Sequence, residues 1–220
     1  MSHDLINSIW LAASFLGLFG FAEVLYHYLH IKAELTRKLV HFGTGILTFL
    51  FPVFLSSHIW VLALCASFAL ILIVSLKFKL LPSINAVDRI TWGSLCYPLS
   101  VYVCFVMYEF NDKQSILFYL PILILAICDP LAALVGKRWP WGKYSIFGNY
   151  KSLAGSIVFF ILASILSYIY IRNYASLNMG VLFPALLIAF VAAIAEAISN
   201  KGFDNITIPM AVVISTLFFL

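Results

Sequence analysis

Charged residues are scarce in this sequence. Aspartate, glutamate, lysine and arginine make up 10% of its 220 residues, whereas 64% are hydrophobic and the mean hydropathy is +1.06. A soluble globular domain carries roughly a quarter of its residues as charged groups, because these groups cover its hydrated surface. The composition therefore excludes a water-soluble fold and predicts a chain that is surrounded by lipid.

Paired cysteines and internal repeats are also missing. The four cysteines, Cys65, Cys96, Cys104 and Cys128, lie in apolar runs, and no two of them form a C-x-x-C pair. This pattern indicates small buried side chains rather than a zinc ribbon or a disulfide scaffold. Because the two halves of the chain show no repeat, a transporter built from repeats is disfavoured as well.

Long apolar runs, in contrast, fill most of the chain. A membrane-spanning helix needs about 20 such residues. The runs predict a single all-α domain over residues 1–220: a polytopic membrane protein with seven or eight transmembrane helices, short loops and no separate soluble domain. The eight candidate spans are about 5–29, 39–55, 58–76, 91–108, 116–136, 153–171, 180–198 and 205–220.

The basic residues are distributed unevenly over the connections between these spans. Eleven of the 13 lysines and arginines lie in the first, third, fifth and seventh connections, and only Lys113 and Arg172 lie in the others. Cytoplasmic loops carry an excess of Lys and Arg. We therefore expect the odd-numbered connections and the active site on the cytoplasmic side, with both termini outside.

The net charge of +4 marks this orientation, so membrane lipids rather than nucleic acid are the expected partners. Because no transit peptide is visible, the expected location is a bacterial cytoplasmic membrane.

Four polar residues lead into the second predicted span. Glu34, Arg37, Lys38 and His41 are spaced i, i+3, i+4 and i+7, which places them on one stripe of a helix. Such a stripe is suited to hold phosphate, and the two glycines that follow allow another backbone or a ligand to approach. The alternative is a basic cap at the membrane surface, in which Glu34 pairs with Lys38. His41 favours the functional interpretation because it lies inside an apolar run.

Asp129 follows a long apolar run and precedes Pro130. A carboxylate at membrane depth is costly unless it faces a polar cavity or a partner, so Asp129 is a functional candidate. The residue before a proline is also driven out of helical geometry. The pair therefore predicts a break in the fifth span, with Asp129 capping a helical segment that starts at Pro130. The alternative is a cap with a purely structural role.

A short polar segment, NYKSLAGS, opens the sixth span. Ser152 is placed to cap the helix, and the first helical amides together with Lys151, Gly155 and Ser156 predict a seat for phosphate. The alternative is an interfacial lysine followed by small residues that pack against another helix.

Two carboxylates and an amide lie close together in sequence where the seventh span leads into the eighth. Glu196, Asp204 and Asn205 offer oxygen ligands that suit a hard divalent cation such as Mg²⁺. The alternative is a solvated turn. Glu196 favours the metal interpretation because alanines surround it within an apolar span.

These four segments, in this order, resemble the motifs of the polyprenol kinase family, which includes dolichol kinase, phytol kinase and the CTP-dependent diacylglycerol kinase and is related to the phosphatidate cytidylyltransferases. The family's motifs are E-x-x-R-K-x-x-H with a following glycine, D-P-x-A-x-x-x-G, K-[ST]-x-E-G-[ST], and a final E followed by D-N-x-x-I-P. The resemblance covers about residues 34–209. The matching residues are Glu34, Arg37, Lys38, His41, Gly45, Asp129, Pro130, Gly136, Lys151, Ser152, Gly155, Ser156, Glu196, Asp204, Asn205, Ile208 and Pro209.

Two positions depart from the family pattern. The family usually has a glycine before the aspartate of the second motif and an acidic residue before the glycine of the third. This chain has Cys128 and Ala154 at these positions. The change at Ala154 removes one possible contact to a metal or a nucleotide.

The resemblance implies a membrane-embedded kinase that transfers the γ-phosphate of CTP to the hydroxyl of a lipid alcohol, with Mg²⁺ as cofactor. The acceptor would be a polyprenol, a phytol-type alcohol or diacylglycerol. Phosphoryl transfer needs positioning, metal and cations around the phosphate oxygens. The implied catalytic residues are Asp129, as metal ligand or base, Lys151, which holds the triphosphate, and His41. The other implied roles are phosphate binding by Arg37, Lys38, Ser152, Gly155 and Ser156, Mg²⁺ binding by Glu196 and Asp204, a nucleotide or metal contact by Asn205, and orientation of the site by Glu34, Pro130, Gly136 and Pro209.

Two other functions stay open at this point. Cytidylyl transfer from CTP to a phospholipid would use the same reactants but attack the α-phosphorus. A transporter or flippase for an anionic lipid would instead line its pathway with the polar stripe and move its cargo without consuming nucleotide.

Overall fold

A computed structural model describes residues 3–86, 92–146, 148–174 and 180–220. Within these ranges the chain forms ten helices and one two-stranded antiparallel sheet. In chain order they are α1 (His3–His27), α2 (Ala33–Thr48), α3 (Phe51–Phe54), α4 (His58–Lys77), α5 (Pro82–Asn85), α6 (Gly93–Phe110), α7 (Ile116–Arg138), β1 (Lys143–Ile146), β2 (Asn149–Ser152), α8 (Leu153–Tyr174), α9 (Leu182–Ile198) and α10 (Asp204–Leu217).

The prediction of an all-α, polytopic membrane protein is confirmed. In the described part of the chain five helices, α1, α4, α6, α7 and α8, are long and apolar enough to cross a membrane. The shorter helices α9 and α10 are apolar as well, with 17 and 14 residues. The small hairpin of β1 and β2 is not anticipated by the sequence analysis. Arg89, one of the basic residues counted in the third connection, lies outside the described residues.

Helix α7 forms the centre of the bundle. In its apolar stretch 67% of the residues are buried, against 28% in α1 and in α8. It packs against α2, α6, α8 and α10, so that Leu117, Phe118, Leu120, Ile122 and Ile124 are completely buried. A helix that is apolar on every side is suited to this central place, because every face can contact another helix. The other spanning helices each expose apolar side chains on the outside of the bundle.

The second predicted span is wrong at both ends. Helix α2 begins at Ala33, ahead of the predicted start, and ends at Thr48, before the separate short helix α3. Pro52 lies in the first turn of α3. Because proline has no N–H, it cannot donate the hydrogen bond to the Thr48 carbonyl that would continue α2. The early start places the whole stripe from Glu34 to His41 on α2, as the spacing predicts.

The predicted break at Asp129 is also wrong. Helix α7 continues from Ile116 to Arg138 through both Pro121 and Pro130. A proline removes one backbone hydrogen bond and crowds the preceding turn, but a membrane helix tolerates it where neighbouring helices pack around it. Both prolines are buried in the bundle. Asp129 therefore projects from an intact helix and does not cap a new one.

The connections that follow α1, α4, α7 and α9 meet at one end of the bundle, here named the basic end. There the Trp92 N–H donates to the Lys201 carbonyl at 2.8 Å, and the Thr36 hydroxyl donates to the Ser83 carbonyl at 2.6 Å. The N-terminus of α1 lies at the other end, named the opposite end, with the segment between α3 and α4 and the end of α6; there the Ser56 N–H donates to Asp4 Oδ1 at 3.0 Å. The odd-numbered connections therefore share one end of the bundle, as the charge distribution predicts.

Candidate active site

All four predicted segments converge at the basic end of the bundle. Asp129 on α7 lies close enough to interact electrostatically with Asp204, Glu196, Lys151 and Lys38. These five residues come from α2, α7, α9, α10 and the β-hairpin. The fold thus brings together residues that are up to 166 positions apart in sequence, from Lys38 to Asp204, and one cluster of acidic and basic groups results.

Lys151 is bound to the end of α9. Its Nζ donates to Glu196 Oε1 at 2.5 Å and also to the Glu196 backbone carbonyl. The two side chains are only 13% and 12% exposed. The second carboxylate oxygen, Glu196 Oε2, is buried and has no hydrogen-bond partner. A lysine beside the last turn of α9 is also favoured by the negative end of the helix dipole.

The hairpin places Lys151 in this position. Strands β1 and β2 pair in antiparallel register, with Tyr144 opposite Lys151. The Tyr144 hydroxyl and the Ser156 hydroxyl are 2.6 Å apart, which joins the hairpin to the first turn of α8. The hairpin connects α7 to α8 at the basic end. It therefore places Lys151 within reach of Glu196 on α9 at the same end.

Ser152 caps α8, as predicted, but the start of this helix does not offer free amides. The Ser152 hydroxyl accepts a hydrogen bond from the Gly155 N–H at 3.2 Å. The Leu153 N–H donates to the Gly142 carbonyl at 3.1 Å, and the Ala154 N–H donates to the Trp141 carbonyl. The first amides of α8 are therefore used by the protein itself. In this conformation the predicted phosphate seat at the start of α8 is not supported.

Gly136 and Gly155 mark a close crossing of α7 and α8. A β-carbon added to Gly155 would lie 3.0 Å from the Ala132 carbonyl oxygen, and one added to Gly136 would lie 2.7 Å from the Ser152 hydroxyl. Small residues allow the backbones of membrane helices to approach in this way. The packing alternative thus accounts for these two glycines.

The stripe on α2 holds this helix against α7. Glu34 forms an ion pair with Lys137, and His41 Nε2 lies 3.0 Å from the Leu125 carbonyl oxygen. A β-carbon on Gly45 would overlap that of Ala126. Leu125 precedes Asp129 by one helical turn, so these contacts set the position of His41 relative to Asp129.

Asp204 and Asn205 begin α10 beside this cluster. The Asn205 side-chain amide donates to the Gly93 carbonyl at 2.7 Å, which ties α10 to α6. Asp204 Oδ1 accepts from the Asn205 N–H at 3.0 Å. Pro209 is buried within α10, one further turn along. The solvated-turn alternative does not describe Asn205, which is only 6% exposed.

The predicted site with three carboxylate ligands is not preformed. In the described ranges no group of three or more His, Cys, Asp or Glu side chains is close enough to hold a metal ion. Glu196 is engaged by Lys151, whereas Asp204 is the charged group that acts most strongly on Asp129. Mg²⁺ usually takes one or two carboxylates and completes its shell with water and substrate phosphates. Asp129 and Asp204 are the two carboxylates of the cluster that Lys151 does not engage.

A cavity opens beside the cluster, between α1, α2, α4 and α6; it is named the bundle pocket. Most of the residues that line it are apolar. Arg37, His41 and Asn205 lie in its lining, and so does Tyr97, whose ring meets the His41 ring edge-on at a centroid distance of 5.0 Å. Sequence analysis missed Tyr97 because it lies in an apolar span that carries no polar motif.

Comparison with known proteins gives two named relatives. The chain is 34% identical to the phytol kinase of Synechocystis sp. over 212 residues, which cover 96% of this chain and 90% of that protein. It is 29% identical to the CTP-dependent diacylglycerol kinase 1 of Schizosaccharomyces pombe over 140 residues, which cover 59% and 61%. An uncharacterized protein of Rickettsia prowazekii is 38% identical over 100 residues, 44% of this chain and 46% of that protein. No family model and no solved structure matches the chain.

Proposed function

The chain belongs to the polyprenol kinase family, and we propose that it transfers the γ-phosphate of CTP to the hydroxyl group of a lipid alcohol at the basic end of the bundle. The observation that carries the proposal is the convergence of Lys38, Lys151, Glu196 and Asp204 on Asp129. A lipid acceptor explains why the enzyme lies in the membrane. The hydrocarbon part stays among the helices while the hydroxyl reaches the site.

The charges of the site suit phosphoryl transfer. In this reaction the enzyme mainly positions the reactants and stabilises the negative charge on the phosphate oxygens. Arg37 and Lys38 supply positive charge from α2, and Lys151 supplies it from the hairpin. The buried ion pair with Glu196 fixes the position of Lys151. The Lys151 charge therefore acts on the nucleotide without direct contact.

Asp129 and Asp204 are the residues that would hold Mg²⁺. Bound there with the nucleotide, Mg²⁺ would neutralise part of the triphosphate charge. We assign Asp129 to the metal rather than to the acceptor because the lining of the bundle pocket includes His41 but not Asp129.

His41 is placed to receive the proton of the acceptor hydroxyl. When its Nε2–H donates to the Leu125 carbonyl, 3.0 Å away, the lone pair is on Nδ1. The neutral imidazole then has an acceptor nitrogen, Nδ1, on a residue that lines the pocket where the alcohol would enter. Asn205 in the same lining orients groups that arrive there.

A phytol-type alcohol is the acceptor that the comparisons favour. The relative named phytol kinase matches 96% of this chain, whereas the relative named CTP-dependent diacylglycerol kinase matches 59% at lower identity.

The basic end faces the cytoplasm, where CTP is present, because it carries most of the lysines and arginines. Both termini then lie outside, and the membrane is the cytoplasmic membrane of a bacterium.

The test uses the purified protein in detergent with Mg²⁺ and CTP that carries a radioactive label at either the α- or the γ-phosphorus. The panel of acceptors contains phytol, a polyprenol, diacylglycerol and phosphatidate, and the label is counted in the lipid phase. We expect label from γ-labelled CTP only, with phytol as the best acceptor. Label from the α position would instead establish cytidylyl transfer. No label with any lipid would overturn the kinase assignment.

A further inference from the structure

The charged and imidazole side chains of the bundle pocket lie at one end. Arg37, His41 and Asn205 belong to the basic end, where the candidate active site lies. Further in, the lining is mostly apolar, with Leu64, Phe68 and Val101 among its residues, and the Thr48 hydroxyl donates to the Thr44 carbonyl. Pockets that bind small molecules are mostly apolar, with a few polar groups that set the orientation of the ligand. The bundle pocket shows this division along its length.

The depth of the pocket follows from the residues of α2 that line it. They extend from Arg37 to Thr48, which corresponds to about 16 Å along a helix. The hydrocarbon core of a bilayer is about 30 Å thick. The pocket therefore reaches roughly half way across the membrane, about the depth of one leaflet.

Aromatic side chains close the inner part of the pocket. Phe15 from α1 lies with its ring centroid 5.0 Å from that of Phe68 and 6.0 Å from that of Phe51. All three rings are buried and belong to the lining. This cluster limits how far a ligand could extend.

We propose that the bundle pocket binds one hydrocarbon chain of the acceptor alcohol, with the hydroxyl at His41 and the end of the chain at the Phe15–Phe51–Phe68 cluster. The proposal rests on the proposed function and adds to it a limit on the length of the acceptor's hydrocarbon chain. The depth of the pocket, from Arg37 to Thr48 on α2, matches an alcohol with a single chain of about one leaflet's depth. A longer polyprenol would have to leave the pocket, and a second acyl chain would stay outside it.

The first experiment narrows the pocket in its apolar part. Leu64 on α4 is 5% exposed and lines the pocket, whereas Leu62 on the same helix is 44% exposed and faces outward. We compare Leu64→Phe with the matched control Leu62→Phe by measuring kcat/KM for alcohols of increasing chain length. We expect Leu64→Phe to lower kcat/KM by about tenfold or more for long chains and to leave short chains nearly unchanged. The profile of Leu62→Phe should equal that of the wild type.

The opposite change guards against a variant that does not fold. Leu64→Ala enlarges the same part of the pocket, so the preferred chain length should shift toward longer alcohols. If the length profile stays the same in Leu64→Phe and Leu64→Ala while the wild type phosphorylates alcohols, the pocket proposal is overturned and the kinase assignment stands.

The second experiment does not depend on turnover. A phytol-like alcohol with a photoreactive group near the end of its chain is irradiated with the wild-type protein without CTP, and the labelled peptides are mapped by mass spectrometry. We expect label on α4 around Leu64 and Phe68, and its loss in excess unlabelled alcohol. Label only on the outward face of α8, such as Ile161 or Ile165, would contradict the proposal whether or not the protein proves to be a kinase.

Discussion

The carboxylates around Asp129 at the basic end differ in their surroundings from Asp4 and Glu109 at the opposite end. Asp4 accepts hydrogen bonds from the Ser56 N–H and hydroxyl, and Glu109 accepts one from the His58 N–H at 2.5 Å. At the basic end Asp129 lies close enough to both Asp204 and Glu196 to interact with them electrostatically.

This difference separates a structural from a functional use of the same group. A carboxylate that satisfies backbone amides stabilises the connection that it binds. Carboxylates held near one another raise the free energy of the folded protein unless cations compensate, and such clusters are typical of sites that bind metals or phosphates. The opposite end thus serves as an internal reference for the basic end.

The largest expected effect is on catalysis at the basic end. Asp129→Asn removes one carboxylate of the proposed Mg²⁺ pair, so kcat should fall by about a thousandfold. The matched change at the opposite end, Asp4→Asn, should leave kcat unchanged. Turnover of labelled CTP with phytol measures both variants, and circular dichroism verifies that they are folded. Full turnover in folded Asp129→Asn would remove Asp129 from the active site.

The second effect concerns the buried ion pair. Lys151→Met leaves Glu196 buried without its cation, which should lower the free energy of unfolding by about 3 kcal/mol. The double variant Lys151→Met/Glu196→Gln should recover part of this loss, because no unpaired charge remains, but not the activity. Denaturant unfolding in mixed micelles together with the kinase assay separates the two roles. Recovery of activity in the double variant would mean that Lys151 serves only to balance Glu196.

A third effect tests the close approach of α2 to α7. Gly45→Ala places a β-carbon against Ala126, so unfolding should require about 2 kcal/mol less. Gly17→Ala and Gly20→Ala on α1 are matched controls, since nothing lies within 4 Å of the added carbon, and they should stabilise the helix by about 0.5–1 kcal/mol. Equal effects at all three glycines would show that α2 and α7 are not in close contact.

The smallest effect is expected at the opposite end. Glu109→Gln keeps an oxygen that accepts from the His58 N–H and loses only the charge, so the free energy of unfolding should fall by about 1 kcal/mol or less. Turnover should not change. A large loss of turnover with this variant would erase the distinction between the two ends.

The overall architecture could be predicted because lipid imposes simple rules on a sequence. Apolar runs of sufficient length must become helices, and the helices α1, α4, α7 and α8 lie close to the predicted spans. The uneven charge correctly grouped the odd-numbered connections at one end. The spacing of the stripe from Glu34 to His41 also identified a single helical face.

Several local features could not be predicted because they depend on neighbours. Whether Pro130 breaks a helix depends on how closely other helices surround it, and the sequence alone does not show that. The partner of Lys151 lies 45 residues away, at Glu196. The sequence at the start of α8 predicts a phosphate seat, yet the first amides of this helix donate to the carbonyls of Trp141 and Gly142, which lie between α7 and β1.

The sequence by itself determined the membrane environment, the all-α polytopic architecture and the family, because composition, run length and motif order are properties of the chain alone. Only the tertiary structure decided which of the motif residues face one another, which glycines serve helix packing, and where a pocket opens. These features depend on distances between helices that are far apart in sequence, and such distances are set by the packing of the whole bundle.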